Sequence, residues 1–155
     1  MSSQLNGKKI LVITSNTGIE RDELLKPLEA LRGYGSTVTH GSSDGGTTQT
    51  FVGDTEKDRT VESDAKLADL NGADFDALVI PGGTVNADTL RQDAAALKLI
   101  NQFVAAGKTV AAICHGPWTL IDAGVIKGKT LTSYKSVRID LENAGAAGWV
   151  DAEVK

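Results

Sequence analysis

At 155 residues with a formal net charge of -4, the chain has the size of one domain, and its charge is spread along the sequence rather than gathered into a basic patch or an acidic tail. The polar opening Met1–Lys9 and the short apolar run Ile10–Ile13 exclude a signal-peptide core or a membrane span there. A cytoplasmic protein with no membrane and no specific nucleic-acid partner is expected. The sole cysteine permits neither an internal disulfide nor a cysteine-based zinc site; no metal and no cofactor is expected.

Lys9–Thr14 is a short β-branched run that predicts a strand. Glu20–Arg32 carries Leu24, Leu28 and Leu31 on one helical face, with Gly33 and Gly35 as stop signals. Ser36–His40 reads as a second strand, with His40 at its end as a surface histidine. The Gly-, Thr-, Asp- and Glu-rich stretch from Gly41 to Asn71 predicts a short hairpin and loops, its run Glu56–Arg59 solvated. Phe75–Ile80 is a buried-strand pattern cut off by Pro81-Gly82-Gly83. A helix follows, with Leu90, Ala94, Leu97, Ile100 and Val104 at helical spacing, Asp88 as N-cap and Gly107 as stop. Thr109–Ile113 is a further apolar strand running into Cys114, and Pro117 and Thr119–Ile121 open a short helix ending near Gly124. Strands that alternate with helices and are apolar on both faces predict an α/β fold with a mostly parallel sheet covered on both sides. Ligands then sit beyond the carboxyl ends of the strands.

Three such ends carry chemistry-bearing residues: Thr14–Glu20, Pro81-Gly82-Gly83 and Cys114-His115-Gly116. A lone cysteine at the end of an apolar strand is ordinarily a small buried hydrophobe. A strand turning abruptly into a helix with the cysteine at the corner is instead a nucleophile elbow, where the helix N-terminus favours thiolate. Gly116 relieves crowding in the corner and Pro117 suits the first helical turn. His115 follows the cysteine directly, so its side chain is expected to leave on another side of the turn. It either packs or transfers a proton, and its amide can serve an oxyanion. Gly82 and Gly83 form a tight turn, or let their amides approach a ligand and complete an oxyanion hole. Glu20 is either a solvated acid favoured by the helix dipole or a carboxylate turned inward onto the thiol. Asp93 has the look of an early-helix acid, and Trp118 of a packing residue that can wall a pocket.

Ala111-Ala112-Ile113-Cys114-His115-Gly116-Pro117, with Leu78–Gly83 upstream and Asn143-Ala144-Gly145 and Trp149–Val154 downstream, resembles the ThiJ/PfpI family, of the PfpI-like branch, over nearly the whole chain. The resemblance implies a three-layer flavodoxin-like sandwich of the class I glutamine amidotransferase-like superfamily. It implies Cys114 as nucleophile beside His115, and Glu20 as the acid next to the cysteine. It also implies Asp93 as an acid supplied by a neighbouring subunit, hence a homodimer or higher homo-oligomer. The first loop is one residue longer than the family pattern. The single domain spanning residues 1–155 stops where relatives continue with another strand and a terminal helix.

The family's activities include intracellular peptidases or amidases, cofactor-independent glyoxalases, deglycases and stress-response chaperones, which a fold cannot separate. An elbow cysteine with an oxyanion hole and a nearby proton carrier suits an α-oxoaldehyde. The expected function is therefore a cysteine-dependent stress-response enzyme acting on small reactive carbonyls or glycated groups. A PfpI-type peptidase or amidase acting on peptides is the second reading, and a noncatalytic redox sensor or chaperone the third. A flavin site at Thr14–Gly18 is disfavoured, because Glu20 would repel a phosphate and aromatics are scarce.

Overall fold

A computed structural model describes residues 4–155. In chain order it contains β1 (Lys9–Thr14), β2 (Thr17–Glu20), α1 (Arg21–Gly33), β3 (Thr37–Ser42), β4 (Thr47–Val52), β5 (Glu56–Glu62), β6 (Ala65–Lys66), β7 (Ala77–Ile80), α2 (Thr84–Leu90), α3 (Ala94–Ala105), β8 (Thr109–Ala112), α4 (Pro117–Asp122), β9 (Thr130–Leu131), α5 (Arg138–Asn143) and β10 (Gly148–Trp149). Five strands form a parallel sheet in the order β6-β3-β1-β7-β8. The fold is the expected α/β sandwich with a mostly parallel central sheet.

The period-2 alternation of the strands divides the core. From β1, Leu11 and Ile13 enter one apolar cluster with Leu78 and Ile80 of β7 and with Leu99, Ile100 and Phe103 of α3. Ile10 and Val12 enter the other with Leu24 and Leu28 of α1. Both faces of β1 are therefore buried, as a central parallel strand requires. The edge strand β8 differs: Thr109 and Ala111 are exposed, so its outer side is not covered as the apolar pattern implied.

The chain moves from β1 to β3 in one direction along the sheet and to β7 in the other. The resulting switch point opens a crevice at the carboxyl ends of β1 and β7. Beside it, β2, β4 and β5 make a separate sheet, with β4 and β5 an antiparallel hairpin whose tip is Gly53-Asp54. The hairpin between Gly41 and Asn71 was expected, but its position over the crevice was not.

The helix expected across residues 88–106 is two helices. Asp88 lies inside α2, and the cap is Asp93, whose Oδ1 accepts the amides of Ala95 at 2.8 Å and Ala96 at 3.3 Å to start α3. The break resets the helical phase, so α3 buries Ala96, Leu99, Ile100 and Phe103, whereas Ala94 is exposed. His40 also departs from expectation. It is 1% exposed within β3, because β3 lies second from the sheet edge and its residue 40 points into packed structure. Among the described residues no helix is long and apolar enough to cross a membrane.

Candidate active site

Cys114 lies one residue beyond Ile113, whose amide still bonds Ile80 as the sheet ends, and it adopts φ 59. A non-glycine residue in the left-handed region is uncommon and costs on the order of 1–3 kcal/mol, so the surrounding structure must enforce it. Three contacts do so. The Gly116 amide closes the corner onto the Ile113 carbonyl at 2.8 Å, the Tyr134 amide donates to the Cys114 carbonyl at 2.9 Å, and Pro117 starts α4 at once. Gly116 is needed for space, since a Cβ there would lie 2.8 Å from the Ile80 carbonyl oxygen. The elbow expected from the sequence is present.

The acid at the sulfur is Glu23, not Glu20. Glu23 lies in the first turn of α1, immediately before the buried Leu24. Its carboxyl hydrogen-bonds the Cys114 thiol, and its Oε2 accepts the Gly82 amide at 2.7 Å. Glu20 precedes the helix with extended backbone, so its side chain takes another direction. Its two oxygens accept the amides of Gly53 at 3.2 Å and Asp54 at 3.1 Å, which anchors the β4–β5 tip. Glu20 is the acid that the family resemblance implies because Glu20-Arg21-Asp22-Glu23-Leu24 falls where members carry an acid followed by a helix. The overlooked signal was Glu23's place beside the buried stripe of an amphipathic helix.

His115 does not diverge from the thiol. The turn at Cys114 folds the imidazole back, so Nδ1 lies 3.2 Å from Sγ. Tyr134 stacks on the ring, with centroids 4.7 Å apart and planes at 26°. Trp118 meets it edge-on at 5.0 Å while its Nε1 donates to Asp140 at 2.9 Å. Trp118 thus supports the histidine from behind and does not line the cavity. The cavity at the sulfur has a volume of about 550 Å³ and is walled by Glu20, Asp22, Glu23, Gly53, Asp54, Gly83, Thr84, Cys114, His115 and Tyr134. Asp54, Thr84 and Tyr134 escaped the sequence reading, since each comes from a loop or element end whose approach only the tertiary fold creates.

The amides divide differently from expectation. That of Gly82 is committed to Glu23 and that of Gly116 to Ile113, while the amide of His115 is directed at the sulfur. Gly83, at φ 91, is left as the amide donor of the expected group that lines the cavity. A Cβ at Gly83 would also come within 2.7 Å of the Glu20 amide nitrogen, so both its conformation and its space require glycine. Asp93 lies outside this cavity in the single chain, with its carboxylate engaged as the α3 cap.

Burial drives the Cys114 thiol up to about 12, reinforced by the negative charge of Glu23 and the hydrogen bond the thiol donates to it; the His115 amide opposes this. Burial and the Glu23 charge thus act against the thiolate that the start of the short α4 was expected to favour. Burial likewise raises Glu23 to about 6, against the Gly82 amide and the Cys114 hydrogen bond. Burial lowers His115, against the charge of Asp54.

The chain matches the DJ-1/PfpI family over residues 8–155. It belongs to that family. General stress protein 18 of Bacillus subtilis is 40% identical over 148 residues, covering 96% of this chain and 83% of its own. Protein/nucleic acid deglycase 2 of Escherichia coli is 38% identical over 147 residues, covering 95% of this chain and 82% of its own. The crystal structure of Drosophila melanogaster DJ-1beta superposes with a TM-score of 0.81 at 31% identity, covering 99% of this chain and 76% of that one.

Proposed function

We propose that this DJ-1/PfpI member is a cysteine-dependent enzyme acting on reactive carbonyls, of the glutathione-independent glyoxalase or deglycase type, with Cys114 as nucleophile. The observation that carries this reading is the sulfur itself. It stands at a left-handed corner facing a cavity of about 550 Å³, with a carboxyl and an imidazole both in contact with it. The deglycase name of the Escherichia coli relative supports the substrate class. So does the wall: Glu20, Asp22 and Asp54 disfavour anionic ligands, while a small neutral carbonyl meets no such repulsion.

In this reading the thiol proton passes to a neighbouring base and Sγ adds to an aldehyde carbon. The C=O electron pair moves to oxygen, where the Gly83 amide receives the charge. Reprotonation gives a hemithioacetal. For an α-oxoaldehyde, removal of the C1 proton and its return to C2 produces a thioester without any external oxidant. Water then releases the 2-hydroxy acid and the thiol. Glu23, which exchanges its proton near pH 6, suits the proton transfers next to sulfur.

The test is lactate formation from methylglyoxal without glutathione, wild type beside Cys114→Ala. Cysteine-dependent lactate is expected. No lactate from folded wild-type protein, with hydrolysis of peptide or amide substrates in its place, would move the assignment to the peptidase reading.

A further inference from the structure

Asp54 occupies the tip of the β4–β5 hairpin at φ 65, in a conformation that Asp and Asn tolerate better than other side chains. Its two carboxylate oxygens take two donors from one residue across the cavity. Oδ1 accepts the Thr84 amide at 2.8 Å and Oδ2 accepts the Thr84 hydroxyl at 2.8 Å. With its hydrogen committed to Asp54, the Thr84 oxygen has only lone pairs to offer elsewhere. The group that faces those lone pairs is His115 Nε2, 3.5 Å away, at the long limit of a hydrogen bond, and such contacts in a free enzyme tighten when substrate binds.

A neutral imidazole carries one N–H. Placed on Nε2, that hydrogen points at Thr84 and leaves the Nδ1 lone pair facing the Cys114 sulfur at 3.2 Å. Placed on Nδ1, it would leave Nε2 and Thr84 Oγ1 opposed as two acceptors. We propose that Asp54, acting through Thr84, is a positioning residue that holds His115 as the Nε2–H tautomer and thereby makes Nδ1 an acceptor for the Cys114 proton. Glu20 belongs to the same device one step further out, since its carboxylate fixes the Gly53 and Asp54 amides at the hairpin tip. The inference rests on the reading of Cys114 as nucleophile, and it gives the histidine an orienting acid from its own chain.

In the step assigned to this relay, the S–H rotates from its resting acceptor Glu23 toward Nδ1 and gives it the proton, while the electron pair stays on sulfur. The imidazolium keeps Nε2–H directed at Thr84, and the Asp54 charge stabilises it. When sulfur adds to the carbonyl, the Nδ1 proton passes to the new alkoxide oxygen, so thiol and aldehyde become hemithioacetal with nothing left over. The charged and titratable groups around the ring are Cys114 on its own turn, Glu23 of α1 beyond the sulfur, Asp54 on the hairpin and Tyr134 stacked above; Glu20 and Asp22 line the same cavity. Arg91 lies over Trp118, 5.3 Å from its centroid.

The experiment reads the His115 tautomer by nitrogen-15 NMR of the resting protein, together with the iodoacetamide alkylation rate of Cys114 across pH. Wild type is expected to show protonated Nε2 and bare Nδ1. Thr84→Val should abolish that preference and slow alkylation at neutral pH by about tenfold or more, and Thr84→Ser should restore both. Asp54→Asn should reverse the tautomer, because its amide donates to Thr84 Oγ1 and turns the hydroxyl hydrogen toward Nε2. Protonated Nδ1 in wild type, or a tautomer unmoved in both Thr84→Val and Asp54→Asn, would overturn the inference. No turnover is involved, so a protein that makes no lactate still gives this answer.

Discussion

One acceptor and one donor meet the Cys114 sulfur, and they act on it in opposite ways. The Glu23 carboxylate holds the proton on sulfur by charge and by accepting its hydrogen bond, whereas the His115 amide favours the thiolate. Glu23→Gln removes the charge and can donate an amide hydrogen to the thiolate. The thiol pKa should fall by about one unit or more, and alkylation at pH 8 should accelerate roughly tenfold. Turnover should nevertheless drop, since glutamine carries no exchangeable acid proton. Opposite movement of reactivity and turnover identifies Glu23 as a proton carrier; parallel movement would remove it from that role. Asp93 separates in a similar way. Asp93→Ala removes a helix cap and should cost about 1 kcal/mol of stability, read as a lowered urea midpoint. If Asp93 only caps α3, turnover per folded molecule stays unchanged. Loss of turnover in Asp93→Asn, which retains a capping oxygen without the charge, would instead assign it to the site of a neighbouring subunit.

The elements that position the site differ in how openly the sequence displays them. Strands β1, β7 and β8 announce themselves by short apolar runs with glycine or proline at their ends, and the Cys114 corner follows because strand, cysteine, glycine and proline are contiguous. The division of residues 84–105 into α2 and α3 is hidden, because Leu90 and Ile100 keep helical spacing across the break while the capping bonds of Asp93 depend on local backbone geometry. The choice between Glu20 and Glu23 is hidden for a related reason. Both are acids near a helix start, and only the extended backbone at Glu20 sends its side chain to the hairpin and leaves the sulfur to Glu23. The β4–β5 hairpin is legible only as a hairpin somewhere between Gly41 and Asn71, since Glu56–Arg59, which lies in β5, reads as a solvated run. Its role comes from contacts 30 residues apart in sequence between Asp54 and Thr84.

At the scale of the whole molecule, a buried histidine and a half-buried carboxyl set opposing responses to acid. His40 is 1% exposed, its Nε2 bonded to Thr14 Oγ1 at 2.8 Å and its buried Nδ1 without a partner among the described residues. Burial lowers its pKa to about 4 from an ordinary 6.5, against the Asp64 charge and the Glu62 backbone, which favour the charged ring. The unfolded chain therefore binds the extra proton between these values. His40's contribution is complete above pH 6.5 and is lost as the pH falls toward 4, by up to ~3 kcal/mol. Glu23 has the reverse sign. Its folded value of about 6 exceeds the ordinary 4.5, so its contribution is complete below pH 4.5 and is lost as the pH rises through 6, by up to ~2 kcal/mol. Across pH 4 to 6.5 the Glu23 response offsets the larger part of the His40 loss, and the wild type should lose only about 1 kcal/mol of stability toward acid, read from urea midpoints. Glu23→Gln deletes only the Glu23 response, so its stability should fall steeply with acid over that window, while the His40 ring resonances of the folded protein stay in the neutral position from pH 7 to 5. A Glu23→Gln profile no steeper than that of the wild type would show that His40 is not held neutral by burial.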